Sequence, residues 1–297
     1  MIPYSAVVLS IEESDEKILH QMTYEAVKQS IPAETYANQT ATAYQKEMEQ
    51  NELYFNQQLP FYKIRPLYTS LAYLVHKTGL NLVTAIVIIS ALSSLFMSIL
   101  ILRWLLDYLD TFYAYLFSFL IIHSTGIIQI ARAFTPDALS AAILIGAMYV
   151  LKQRRMYFAC FLLVLAIFAR TDNIIFVLIA LTYLSLFSAY RLNWRASLFF
   201  VVLSALSYLS INHLANNYSW ATIFHHTLIN LINNPADYHP NVTWIDYLRV
   251  LKQNAFEAFL WVNSFFVFLL CAFISVSLGD NNKIYSHLGI LMILSVL

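Results

Sequence analysis

Residues 81–103 read NLVTAIVIISALSSLFMSILILR, without a charge until the closing Arg103. As an α-helix this run is about 34 Å long, enough to cross a hydrocarbon core of roughly 30 Å. Its apolar residues occupy every face, so no side is left for water. Similar runs follow it to the end of the chain, and the composition agrees: 60% hydrophobic residues, 11% charged, mean hydropathy +0.63. A soluble core needs far less apolar surface. The expected fold is an all-α, polytopic transmembrane helical bundle over residues 81–297, preceded by an external polar segment, residues 1–80, that carries interfacial helices.

Spans are expected at Asn81–Arg103, Thr111–Ile130, Pro136–Leu151, Met156–Ala169, Asn173–Tyr190, Trp194–His213, Ala255–Leu278 and from Ile284 onward, about eight in all. Arg65–Lys77 is apolar on one face and short, which suits a helix lying on the bilayer. Lysine and arginine are balanced by aspartate and glutamate, 17 against 17, so neither nucleic acid nor a polybasic surface mode is indicated. Cys160 and Cys271 sit inside apolar runs and behave there as small hydrophobes. No repeat, phosphate-binding glycine loop or Cys/His metal spacing is present in the sequence.

Short basic loops set orientation. Lys152, Arg154 and Arg155, the Arg191/Arg195 turn, Arg103 and Lys283 fall on one side by helix parity, the cytoplasmic one. Residues 1–80, Arg132–Asp137, Arg170–Asp172 and Leu214–Asn254 then share the external side, as do the sequons at Asn38, Asn217 and Asn241. An external segment at the start of a chain needs a leading helix or signal, and Met1–Ser10 is too short to serve. A transmembrane helix is therefore expected ahead of Met1, and the closing run ILMILSVL reads as an interrupted span.

Two expected helices are short: Pro136–Leu151 at about 24 Å and Met156–Ala169 at about 21 Å. Both meet the basic turn, so their other ends stop below the external interface. Asp137 and the Arg170-Thr171-Asp172 step are placed there at similar depth. Ionised groups at that depth need a protein-lined or wet setting. The simplest arrangement pairs Arg170 with Asp137 or Asp172 and has Asp137 cap its helix. Glu12-Glu13-Ser14-Asp15-Glu16 reads on its own as a solvated helix start, and His20, His225 and His226 as loop histidines of structural use.

The order of these features resembles the C-class (GT-C) membrane glycosyltransferase superfamily, which includes the bacterial lipid A aminoarabinose transferases and protein mannosyltransferases. Asp15-Glu16-Lys17 in DEKILHQM looks like the acidic opening of that superfamily's first external loop. FYKIRPLYTSLAYLVHKTG looks like its interfacial helix, ARAFTPDALSAAILIGAMYVL like its helix-opening Asp step, and FARTDNIIFVLIAL like its next turn. Against that pattern the chain lacks the first helix and the C-terminal part. The resemblance implies transfer of a sugar from a polyprenyl-phosphate donor to a lipid, glycan or protein acceptor at the external face of a bacterial cytoplasmic membrane. Asp15 would be the general base, Arg132 and Arg170 would bind the donor phosphate, and Glu16, Asp137 and Asp172 would complete the substrate site. A divalent metal is left open, because only some members use one. The residues alone also fit a polytopic transporter or flippase using Asp137, Arg170 and Asp172, a glycan polymerase using Leu214–Asn254, or a non-catalytic assembly subunit.

The orientation is testable in intact cells with a membrane-impermeant thiol reagent. A cysteine from Gln153→Cys is expected to stay unlabelled and one from Asn216→Cys to label. Labelling at position 153 would invert the topology.

Overall fold

The computed structural model describes residues 1–124, 126–186 and 192–260, and the regular structure among them is helical. Residues 1–80 are far more ordered than a polar loop with one surface helix. They form α1 (Ile2–Leu9), α2 (Glu16–Ser30), α3 (Ala33–Gln39), α4 (Ala43–Gln50), α5 (Glu52–Gln58), α6 (Pro60–Lys63) and α7 (Pro66–His76). Local chemistry sets the starts. Asp15 accepts from the amides of Lys17 and Ile18, Thr42 and Gln45 form a capping box, and Asn51 accepts from Leu53 and Tyr54. Pro60 and Pro66 open α6 and α7, where a missing N–H costs nothing.

This helical cap has its own core. Ile2, Val7, Leu19, Val27, Phe55 and Leu59 pack together from α1, α2 and the α5–α6 junction. Burying each such side chain is worth roughly 1.5–3 kcal/mol, which is what holds helices this short. A second cluster joins Tyr4 and Val8 of α1 to Tyr68 and Ala72 of α7 and to Ile86 and Ile89 of α8 (Leu82–Leu106). The cap is thereby fixed to the first long helix. Glu12 adds a clasp, accepting from the Tyr73 hydroxyl at 2.6 Å and pairing with Lys77. The Lys77 ammonium and then that hydroxyl hold the Glu12 carboxyl below its ordinary range.

The body continues as α9 (Thr111–Ser124), α10 (Ile127–Ala131), α11 (Asp137–Lys152), α12 (Met156–Ala169), α13 (Asn173–Leu186) and α14 (Trp194–Leu214). The stretch expected as one span, Thr111–Ile130, is two helices, because Gly126 takes a left-handed conformation at φ +78° and turns the chain. Ala138, Ala142 and Gly146 line one face of α11 at intervals of one helical turn and are buried. A Cβ added at Gly146 would stand 3.8 Å from Leu100 and 4.0 Å from Phe96 on α8, in ordinary van der Waals contact. Small residues let helices approach where apolar surroundings supply no hydrophobic drive. Helix α12 packs against α11, α13 and α14 in a core that includes Leu163, Ile167, Leu181 and Leu184.

Among the described residues two helices, α8 and α14, are long and apolar enough to cross a membrane, while α9, α12 and α13 are apolar but shorter. Large side chains stand outward on these helices: Leu92, Phe96 and Ile99 on α8, Phe112 and Phe119 on α9, Phe199 and Leu206 on α14. The basic turns share one end of the bundle. Lys152 pairs with Asp107 just past α8, and Arg154, Arg155 and Asn193 line one cleft there. Arg191, the end of Asn173–Tyr190, and the expected spans beyond Leu260 lie outside the described residues.

At the other end, the segment after α14 folds as α15 (Trp220–Leu228) and later α16 (Trp244–Leu260), where a loop to Asn254 was expected. It docks on the cap. Gln58 Nε2 donates to the carbonyls of Ile232 and Asn233 at 3.0 Å each, and Tyr218 donates to the Gln57 carbonyl at 2.9 Å. His226 stacks on Phe61 at 4.4 Å between centroids and accepts from the Ile232 amide through Nδ1.

Burial, and then neighbouring His225, push the His226 pKa down to about 4. In the folded protein this ring binds fewer protons than in the unfolded chain, whose imidazole titrates near 6.5. Its contribution is complete above pH 6.5 and is lost as pH falls toward 4, by an amount of at most about 3 kcal/mol. Thermal unfolding at pH 7 and pH 5 should show a larger acid loss for the native chain than for His226→Asn. Equal losses would remove His226 as the cause.

Candidate functional site

Three segments meet where the two short helices stop. The step before α11 supplies Thr135 and Asp137, the turn between α12 and α13 supplies Arg170 and Asp172, and α7 with α8 brings Tyr68 and Ser90. The turn is built by the backbone: Arg170 leaves α12 in an extended conformation, and the amides of Asn173 and Ile174 return to the carbonyls of Arg170 and Thr171 at 3.1 Å. Asn173 then fixes it, donating from Nδ2 to Ser140 Oγ at 2.8 Å and to the Ala166 carbonyl at 2.7 Å. One amide thus ties α13 to α11 and α12.

Arg170 holds both carboxylates. Its Nε and Nη2 form a fork on Asp172, at 3.0 and 2.5 Å, while Nη1 pairs with Asp137. Burial disfavours the guanidinium charge, but Asp172 and Asp137 outweigh it and the Arg170 pKa is raised. The Thr135 hydroxyl donates to the second oxygen of Asp137 at 2.6 Å, and Ser90 Oγ donates to the Thr135 carbonyl at 3.1 Å. Tyr68 lies 3.4 Å from Ser90 Oγ, its pKa pushed up to about 12 mainly by burial, so the phenol stays a donor. Asp137 is not a capping side chain, as had been expected. Pro136 occupies the cap position, and the carboxylate turns to Arg170 instead.

The expected site residues fall into two groups. Asp137, Arg170 and Asp172 come together. Asp15 and Glu16 open α2, both exposed, and no hydrogen bond or ion pair among the described residues joins them to Arg170. Asp15 Oδ1 is committed to two amides, at 2.9 and 3.0 Å, and Oδ2 has no partner among the described residues. Arg132 is exposed at the end of α10, with no carboxylate beside it among the described residues.

Arg65 escaped the sequence reading. It is half-buried between the rings of Tyr4 and Tyr62, at 5.6 and 5.9 Å, and donates to the Phe61 carbonyl at 2.8 Å. No carboxylate neutralises it among the described residues. The Tyr-Lys-Ile-Arg-Pro-Leu-Tyr pattern of residues 62–68, a cation before proline between aromatics, was the available signal. Among the described residues, no group of three or more His, Cys, Asp or Glu is placed to hold a metal ion.

Arg170 and Asp137 keep side-chain exposures of 32% and 38%, so their pair lies between a solvated one and a fully buried one. Arg170→Ala should destabilise by about 1–3 kcal/mol, since two carboxylates lose their shared cation. Arg154→Ala, in the turn at the opposite end, should stay within roughly ±0.5 kcal/mol. Arg154 sits at φ +62°, and alanine keeps the Cβ, so backbone strain is unchanged in that control. Equal melting temperatures for the two variants would show that the cluster does not hold the helices.

No family model, curated protein or solved structure matches this chain.

Proposed function

We propose that this chain is a polytopic membrane glycosyltransferase that moves a sugar from a polyprenyl-phosphate donor to a lipid, glycan or protein acceptor at the external face of a bacterial membrane. The observation that carries the reading is the asymmetry of the bundle. One end bears the basic turns; the other bears a folded helical cap over the Asp137–Arg170–Asp172 cluster, with Arg65 and Arg132 lacking carboxylate partners among the described residues. The outward apolar side chains of α8, α9 and α14 support the membrane setting, since such surface is costly in water.

In this reading Arg170 is structural. Its fork is saturated by two carboxylates, and the cluster carries a net negative charge that repels phosphate. Arg65 and Arg132 are the cations free to meet the donor phosphate. Asp15 is the base, through Oδ2. It takes the proton of the acceptor hydroxyl as that oxygen bonds to the anomeric carbon. The bond from that carbon to the phosphate oxygen breaks, and polyprenyl phosphate leaves with the electron pair. A single displacement of this kind inverts the anomeric centre.

Asp15→Asn is a clean test, because asparagine caps a helix as well as aspartate does. Turnover with a polyprenyl-phosphate-linked sugar should fall about 10²–10⁴-fold at unchanged melting temperature. Glu13→Gln is the control; its side chain accepts from the Asp15 amide at 2.8 Å, and glutamine preserves that acceptor. Near-native turnover in Asp15→Asn moves the base elsewhere, with Asp137→Asn the next variant. No transfer by the native chain from any such donor would end the transferase reading in favour of a transporter.

A further inference from the structure

At the basic end of the bundle, away from the ion cluster, lies an open cleft of about 430 Å³ where the turn from α11 to α12 meets the start of α14. Arg154, Arg155 and Asn193 give it charge and an amide, while Tyr157, Phe158 and Leu192 give it an apolar wall. No Asp or Glu among the described residues lines it. Lys152 on the same turn is spent on Asp107, but no ion pair or side-chain hydrogen bond takes up the Arg154 or Arg155 guanidinium among the described residues. The turn that ends α11 puts Arg154 in the left-handed region at φ +62°, with the Arg155 amide returning to the Val150 carbonyl at 3.2 Å. Glycine takes that conformation without strain. An arginine is kept there against its backbone preference, for a side chain that no described group engages. The cleft also runs outward into apolar surface. Tyr157 and Phe158 are exposed, and the Phe158 ring stacks at 6.4 Å on that of exposed Phe161, the next position along the outer face of α12. Beside Asn193, exposed Trp194 carries the Arg195 guanidinium over its ring at 5.6 Å, a pairing suited to the headgroup level of a bilayer.

We infer that this cleft seats the headgroup of an anionic glycerophospholipid from the leaflet at the basic end of the bundle. Its phosphodiester meets the Arg154 and Arg155 guanidiniums, whose paired N–H donors suit phosphate oxygens. Its acyl chains follow Tyr157, Phe158 and Phe161 along α12, a track that free phosphate has no means to use. A zwitterionic headgroup gains less, because its ammonium finds no carboxylate among the described lining residues. Basic clefts between membrane helices are suited to such lipids. The bound lipid braces the α11–α12 turn against the start of α14, at the end of the bundle remote from Arg170. The inference rests on the membrane setting of the proposed function and not on its sugar chemistry.

The test takes the full chain in detergent and measures, by native mass spectrometry, its affinity for dioleoyl phosphatidylglycerol and for dioleoyl phosphatidylcholine, which share their acyl chains. Two basic residues beside an anionic headgroup should favour phosphatidylglycerol by about 30-fold. Arg154→Gln with Arg155→Gln should remove most of that preference at an unchanged melting temperature in detergent. Arg155→Gln alone, which leaves the left-handed position untouched, should cost about fivefold. Lys28→Gln with Lys46→Gln removes the same charge from exposed positions on the cap and should leave the preference intact. Equal affinity for the two lipids, a preference that survives the arginine changes, or an equal loss in the lysine control would overturn the inference. Displacement of bound phosphatidylglycerol by an equal concentration of inorganic phosphate would also overturn it, since the cleft would then take a free anion. A chain that stays monodisperse after detergent removal, without lipid, would sink the membrane setting and the cleft together. A chain that enters liposomes of both lipids yet prefers neither would sink the cleft alone.

Discussion

The ion triad of Arg170 with Asp137 and Asp172 constrains everything around it. Helices α11 and α12 end beside one another, and there a single guanidinium holds the two carboxylates that would otherwise repel. The guanidinium does this with directional bonds, a fork on one carboxylate and a single contact on the other, so it fixes geometry as well as charge. Thr135, Ser90 and Tyr68 extend the network into α8 and the cap. A continuous path of polar contacts thus runs from Arg170 through Asp137, Thr135 and Ser90 to Tyr68.

The second constraint is mutual dependence between the cap and the bundle. Helices of seven or eight residues do not persist alone. Here α3, α4 and α5 are held by a hydrophobic centre shared with α1 and α2, by capping side chains, and by the segment after α14 that closes over them. Gln58 is the pivot. Its amide nitrogen ties the two segments together, while its oxygen is buried without a partner among the described residues.

Charge is distributed with similar economy. Lys152 is held over Tyr108 at 4.3 Å and beside Trp104 and Tyr149, near Asp107, so the basic end of the bundle carries an aromatic-lined cation at the edge of its apolar surface. At the opposite end Arg170 is saturated by carboxylates, Arg65 is set between aromatic rings without one, and Arg132 is exposed.

Sequence alone determined the helical class, the long apolar runs of α8 and α14, the two short helices with their polar ends, and the need of Arg170 for Asp137 or Asp172 as partner, because hydrophobic length and the expense of isolated charge are properties of composition and order. It could not reveal α1 to α6 as packed helices. Their periodicity is too brief, and capping residues such as Asp15, Thr42 and Asn51 declare helix starts without declaring a core. That ambiguity made Asp15 look like a member of a cluster it does not touch. The setting of Arg65 against Tyr4 was decided only by tertiary structure, since the two lie far apart in the chain. Whether a polar group is spent or unspent depends on which neighbours reach it.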